Sequence, residues 1–264
     1  MTRWHMPGRW VAGAAGAALL ALAFAAAAAD LSREQVQATL AQAAGQRVVL
    51  DGKDLSDLDL SGLDLRRASL RGANLFASKL VLTDLREADL AGANLNGAWL
   101  MGADFTGAQL RGASLLSLVI LGGTVKKMPT FRNADLRGIR MIADLPGADL
   151  SGANLALARI GVEIRNQGMG QMRTDLTGAN LAGVNFEGAD LNRSLLAFAN
   201  LANSNLRGAN LFRAKLAGAD LTGADVSQAD FTEADLTGTI LRGAKGLAQA
   251  KGLDRAENLD KAVR

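Results

Sequence analysis

Asp is the residue in this chain with most to offer chemistry, and its spacing argues against that use. Asp and Asn recur at intervals of five, as at Asn74, Asp89, Asn94, Asp149, Asn180 and Asp220. Carboxylates perform acid–base work or hold a cation when they converge on one point. A fixed interval strings them along a repeat, where their oxygens serve corner hydrogen bonds. The other reactive residue types are absent or remote. There is no Cys, which excludes a disulfide framework, a thiolate nucleophile and a sulfur metal site. The only His is His5, so Ser-His-Asp and Cys-His arrangements are excluded from the remainder of the chain. Every Gly-x-x-x-x-Gly is the repeat's own period and forms no phosphate loop. The reading therefore assigns no catalytic residue, no metal ligand and no cofactor.

The element that distributes these residues is a five-residue unit. From Leu50 an apolar side chain stands at every fifth position to Ile120; a second block holds Phe131, Leu136 and Met141, slips by one, and continues from Leu145 to Ile160; a third runs from Leu176 to Leu241. All 36 positions are Leu, Phe, Ile, Met or Val, and 28 are Leu, too strict a rhythm for a disordered low-complexity tract. Two residues earlier the side chain is small, Ala in 22 of the 36, and Gly commonly closes the unit, giving A-(D/N)-L-x-G. Period five is neither the 3.6 of a helix nor the 2.0 of a strand. A short extended piece followed by a corner in every unit accounts for it, with Gly where a corner needs positive φ.

With these units the sequence resembles the pentapeptide-repeat family over roughly residues 48–243. The resemblance implies an all-β fold, a right-handed quadrilateral β-helix in which four units make one square coil. It also implies that the Leu and the small residue two before it point inward while the other three face out. Nine coils at the ~4.8 Å strand spacing make a rod of about 43 Å. A solenoid's open ends need caps, and short helical caps are expected at both. Ser32 and Gln35 make a capping box and Leu31 and Val36 occupy staple positions, so residues 30–47 are expected to hold a helix laying Val36, Leu40 and Ala43 on the first coil. Residues 244–264 lose the period, and Leu253, Ala256, Leu259 and Val263 suggest a second covering helix.

The N-terminus reads as a signal peptide, residues 1–29: Arg3 and Arg9, an apolar run from Val11 to Phe24, and an A-x-A site before Asp30. The absence of an Arg-Arg pair favours the general secretory route, and the absence of Cys excludes a lipoprotein anchor. The alternative is an uncleaved anchor, since Val11 to Ala29 is nearly as long as the ~20 residues that span a bilayer. Cleavage after Ala29 implies a periplasmic or secreted protein without a stable membrane span. Removing two Arg leaves 27 basic and 26 acidic side chains, so the basic isoelectric point does not argue for nucleic acid.

Function must then sit on outer faces and interruptions. The repeat breaks near 123–128, with Lys126 and Lys127, and near 161–173, with Arg165 and Arg173. Loops on rigid scaffolds commonly carry binding; neutral insertions are the alternative. Stacking every twentieth residue puts Val81, Met101 and Leu121 in one outward row and Trp99 and Val119 in another, an apolar stripe beside the first break. Either it stands free or the break folds over it. Phe76, Phe198 and Phe212 are outward but isolated. These residues are the candidate contacts for a protein or envelope component, and self-association into a homo-oligomer is compatible with them. Family members that resemble B-form DNA bind topoisomerases through a strongly negative rod; this is the alternative function. Here residues 50–120 carry 9 acids and 7 bases and residues 174–243 carry 8 and 5, far sparser than one negative charge per ~1.7 Å of duplex.

Overall fold

A computed structural model describes residues 29–120, 126–162 and 173–264; the expected signal peptide therefore lies, but for Ala29, outside the described residues. The repeat winds into a four-sided solenoid. In each unit the residue before the inward Leu makes a parallel bridge to its counterpart one coil on, as in Asp54 to Asn74 to Asn94 and Asp64 to Asp84 to Asp104. Leu55, Leu60, Leu65 and their successors are fully buried, and Ala73, Ala88 and Ala93 fill the gaps beside them. Phe105 and Phe131 stack inside with ring centres 4.9 Å apart.

The amide bookkeeping of one unit explains the consensus. Leu75 N–H donates to Asn94 O (2.7 Å), Ala77 N–H to Asn96 O (2.9 Å), Ser78 N–H closes the turn on Leu75 O (3.2 Å), and Asn74 N–H reaches back to Lys53 O (2.9 Å). The fifth N–H, that of Phe76, has no backbone acceptor and donates to Asn74 Oδ1 (3.3 Å). The same bond joins Ser56 to Asp54 and Thr222 to Asp220. Asp or Asn before the Leu thus supplies the fifth acceptor. Where that residue is Ser114, Asn96 of the coil before takes the bond from Leu116 N–H.

Both ends are closed, each differently. The N-terminal cap is the expected helix, α1 (Arg33–Gln42), with the Ser32/Gln35 capping box formed. Val36 is buried, and Leu40 and Ala43 pack on the core. No covering α-helix forms at the C-terminus. Residues 245–263 instead make a last coil with six-residue sides: Lys245, Lys251, Glu257 and Val263 bridge to Asp225, Asp230, Asp235 and Ile240. Each side holds a one-turn 3₁₀ segment, at Leu247–Gln249, Leu253–Arg255 and Leu259–Lys261, entered by Gly246, Gly252 or Asn258 with positive φ. Leu247, Leu253 and Leu259 lean on the core. Gly252 is required twice over, since a Cβ there would lie 2.7 Å from Thr232 Cα and its φ is +67°.

The slip between Met141 and Leu145 shortens one side to four residues. There the chain stays extended, and β1 (Ser114–Leu116) pairs in parallel with β2 (Arg140–Ile142).

Inward hydroxyls divide into two kinds. Ser194 Oγ donates to Leu191 O at 2.6 Å, whereas the buried Ser204 Oγ has no partner. Ser204→Ala, which restores the consensus, should stabilise the protein by about 1–2 kcal/mol. Ser194→Ala should be neutral or cost about 1 kcal/mol. Urea unfolding of the two variants beside the parent measures both; a loss of stability in Ser204→Ala contradicts this account.

Candidate partner-binding face

One side of the rod gathers most of the candidates. Its row before the inward Leu reads Asp59, Lys79, Trp99 and Val119 through parallel bridges, and then Asp144, Asp175, Leu195, Lys215 and Asp235. The first break follows Ile120, and the chain resumes at Thr130 on the next side, paired with Asp104. The second break follows the side of Arg159 and ends at Asp175, back on this row. The two breaks thus leave the rod at the two corners that bound this one face.

Trp99 and Val119 are half-buried, as is Val81. Lys79 Nζ stands 5.9 Å from the centre of the Trp99 ring. The stripe is not the continuous exposed surface that sequence stacking suggested. Met101 is only 3% exposed, because the chain returning from the first break lies against it, with Gly102 N–H donating to Lys127 O at 2.7 Å. Covering by the break, the second of the two expectations, holds at this point. Lys126, Lys127 and Arg173 are exposed and form no ion pair among the described residues. Leu121 and Arg165 lie outside the described residues.

Three residues of this region escaped the stacking argument. Leu195 sits on the face itself, and Leu82 and Phe198 occupy its outgoing corner, 53% and 71% exposed. Counting residues in twenties loses register across the breaks; counting units, four to a coil, puts Phe198 on the same corner as Leu82. A large apolar residue in the slot where the consensus has Gly was the available signal.

At the incoming corner a cleft of about 390 Å³ is bounded by residues that include Leu118, Ile142, Asp144, Arg173 and Asp175. It lies where the four-residue side cuts the corner. Asp144 differs from the other row carboxylates because the residue due to donate to it is Pro146, which has no N–H. Burial, and then the neighbouring Asp175 charge, push its carboxyl above the usual carboxylate range. Asp54 and Asp225 are held below that range by the Ser56 and Ser227 hydroxyls, and Asp64 and Asp84 by the Arg66 and Arg86 side chains. Among the described residues no group of three or more His, Cys, Asp or Glu is placed to hold a metal ion, and no helix is long and apolar enough to cross a membrane.

Eight copies of the model for pentapeptide repeats match residues 46–76, 78–115, 172–211 and 209–245. The chain is similar to HetL, a pentapeptide repeat protein involved in heterocyst differentiation regulation from the cyanobacterium Nostoc sp. strain PCC 7120, at 31% identity over 88% of this chain and 94% of that one, with a TM-score of 0.58. It is also similar to AT2G44920, a pentapeptide repeat protein of the Arabidopsis thaliana thylakoid lumen (29% identity, 47% of this chain and 74% of that one, TM-score 0.24). QnrB1, a plasmid-mediated fluoroquinolone resistance protein, matches at 22% identity over 81% and 93% with a TM-score of 0.31. No curated protein matches the chain. The chain belongs to the pentapeptide-repeat family, and its all-β fold is that family's right-handed quadrilateral β-helix.

The two kinds of carboxyl give opposite pH signatures. A group whose folded pKa is depressed contributes stability above its unfolded pKa and loses it as pH falls through the folded value. The thermal midpoint should therefore hold from pH 7 to about 5 and drop below about 4. Asp144, with its pKa raised, has the reverse sign: its charge opposes folding at neutral pH, and protonation relieves that. Asp144→Asn should raise the midpoint at pH 7 and leave it unchanged at pH 3. A fall at pH 7 would contradict this assignment.

Proposed function

We propose that this chain is a non-enzymatic scaffold of the cell envelope that binds a protein partner through the face carrying Trp99, Val119 and Leu195. The carrying observation is the convergence on one face: outward apolar residues in its row, a break at each of its two corners, and an exposed Arg173 at the incoming one that forms no ion pair among the described residues. A contact surface commonly joins an apolar centre to a charged rim. Location in the envelope rests on the N-terminal sequence. Among the described residues, Asp30, which follows the expected cleavage position, is the first to hydrogen-bond the rod, through Asp30 N–H to Asp54 O at 2.7 Å.

What the carboxylates already do supports a non-enzymatic reading. Those of the row beside this face are engaged in turns and in the ion-pair ladder Asp64–Arg66–Asp84–Arg86, with N–O distances of 2.5 to 3.5 Å. The same neutralised ladder leaves no dense negative surface of the kind a duplex mimic presents.

A photo-crosslinking residue at Val119 or Leu195, expressed in the native host, should yield a discrete protein adduct, and one at Gln109 on the opposite side should yield none. Trp99→Ser should cut the yield severalfold without moving the thermal midpoint. Equal labelling from both sides would end this reading of the face. The same preparation tests location: its N-terminal residue should be Asp30.

A further inference from the structure

The corner leaving the tryptophan face is unlike the other three. Along its five-residue coils, from Ser61-Gly62 to Thr237-Gly238, the turn positions and the sequence of the first break hold no Asp or Glu; Asp260 and Lys261 stand at this corner in the closing six-residue coil. Over the five-residue coils its only charged residues are Lys126 and Lys127, which form no ion pair among the described residues. Each of the other corners mixes signs, with Asp51 and Arg71 on one, Asp57 and Arg213 on another, and Glu87 and Arg66 on the third. Of the carboxylates on the adjoining side, Asp64 and Asp84 are bound to Arg66 and Arg86, and Asp104 and Asp149 lie 4.0 and 3.7 Å from Arg86 and Arg132.

Two large apolar residues crown this corner against their own conformational preference. Leu82 and Phe198 have φ of +56° and +58°, a left-handed backbone that bulky residues seldom adopt and that Gly takes without strain. At the same corner Gly62, Gly102, Gly147, Gly178 and Gly218 fill that slot. The Phe198 ring lies over Gly218, where a Cβ would come within 2.6 Å of two ring carbons. Neither residue gains a buried position in return. Five coils separate them, about 24 Å.

A straight convex edge offers a peptide no groove to enclose it. A flat surface can meet all of it at once. Protruding apolar side chains on a rigid line, with lysines between them and no acid from Leu82 to Phe198, fit the boundary of a bilayer: the apolar groups enter the acyl region and the ammonium groups meet lipid phosphates. We propose that this corner rests the rod on an anionic lipid surface, with Leu82 and Phe198 inserted and Lys126 and Lys127 facing the headgroups. The surface is distinct from the face assigned to a protein partner, and each can fail without the other.

The full chain has no Cys, so single labels are unambiguous. An environment-sensitive fluorophore on Ala197→Cys reports this corner, and one on Ala91→Cys reports the diagonally opposite corner. Vesicles of phosphatidylglycerol and phosphatidylethanolamine should shift emission to the blue at position 197 and not at 91, and phosphatidylcholine vesicles should do so far less. The run from Val11 to Phe24 is common to both labelled chains, so insertion through it alone treats the two labels alike. Leu82→Gly with Phe198→Gly should abolish the shift while raising the thermal midpoint, a combination that a structural role for these residues does not produce. Lys126→Glu with Lys127→Glu should remove the preference for anionic vesicles. No shift at 197, an equal shift at both labels, a shift that survives the double glycine variant, or an anionic preference that survives the double glutamate variant overturns the proposal.

Discussion

Most backbone N–H groups of a five-residue side find an acceptor within the protein, and the tube takes its form from that requirement. Four are taken by neighbouring coils and by the turn, as Leu75, Ala77, Ser78 and Asn74 illustrate. The fifth falls to a side chain, which is why Asp or Asn stands before the inward Leu. Burying a peptide donor without a partner costs more than a made bond contributes, so Asp or Asn is favoured in the row wherever that N–H is shielded from water. Inward slots are filled by Leu and Ala and the row slot by Asx. Only the two turn positions, and row slots whose N–H is satisfied from elsewhere, remain free to vary without opening the ladder.

That constraint also separates what could be read in the sequence from what could not. The inward rows and the Ser32/Gln35 cap are local and periodic, and they are legible as written; the number of sides comes with the family resemblance. The C-terminal coil was misread because the expected period was five. Ala244-Lys245-Gly246-Leu247 and Ala250-Lys251-Gly252-Leu253 repeat at six. Gly246 and Gly252 take the slot that Leu holds elsewhere, and their positive φ throws the next Leu back over the end of the tube. A change of period resembles a loss of period to a fixed ruler. Sequence stacking leaves Met101 open between exposure and cover for another reason: its slot faces outward, and the returning path of the first break, fixed by Gly102 N–H to Lys127 O, covers it. A contact set by an insertion has no periodic signature.

The placement of Phe198 shows how function separates from fold in such a molecule. Stability in a solenoid is close to a sum over neighbouring coils, so one strained turn costs its own coil and little beyond. Left-handed non-glycine turns are accordingly scattered along the whole rod, at Asp57, Arg67, Glu87, Asn133 and Gln228 among others. Most are polar, and the exposed turn suits them on grounds of hydration. Leu82, Leu157 and Phe198 have no such reason. Two of the three share a corner with the first break, and Leu157 lies on the diagonally opposite one.

The last coil indicates why sides and corners, rather than ends, are the surfaces left for partners. An open β-helix end presents a row of unpaired strand groups, which invites pairing with another chain. Here each six-residue side folds part of that row onto itself: Ala250 N–H bonds to Leu247 O, Ala256 N–H to Leu253 O and Ala262 N–H to Leu259 O, all at 3.2 Å. At the other end α1 lies across the first coil, with the Arg33 guanidinium on Ser61 O at 3.0 Å. With both ends closed by the chain's own bonds, an added strand would find few donors waiting. The free energy of association must then come from side chains that project laterally. On this rod the tryptophan face and the corner beside it, with Leu82 and Phe198, offer such side chains.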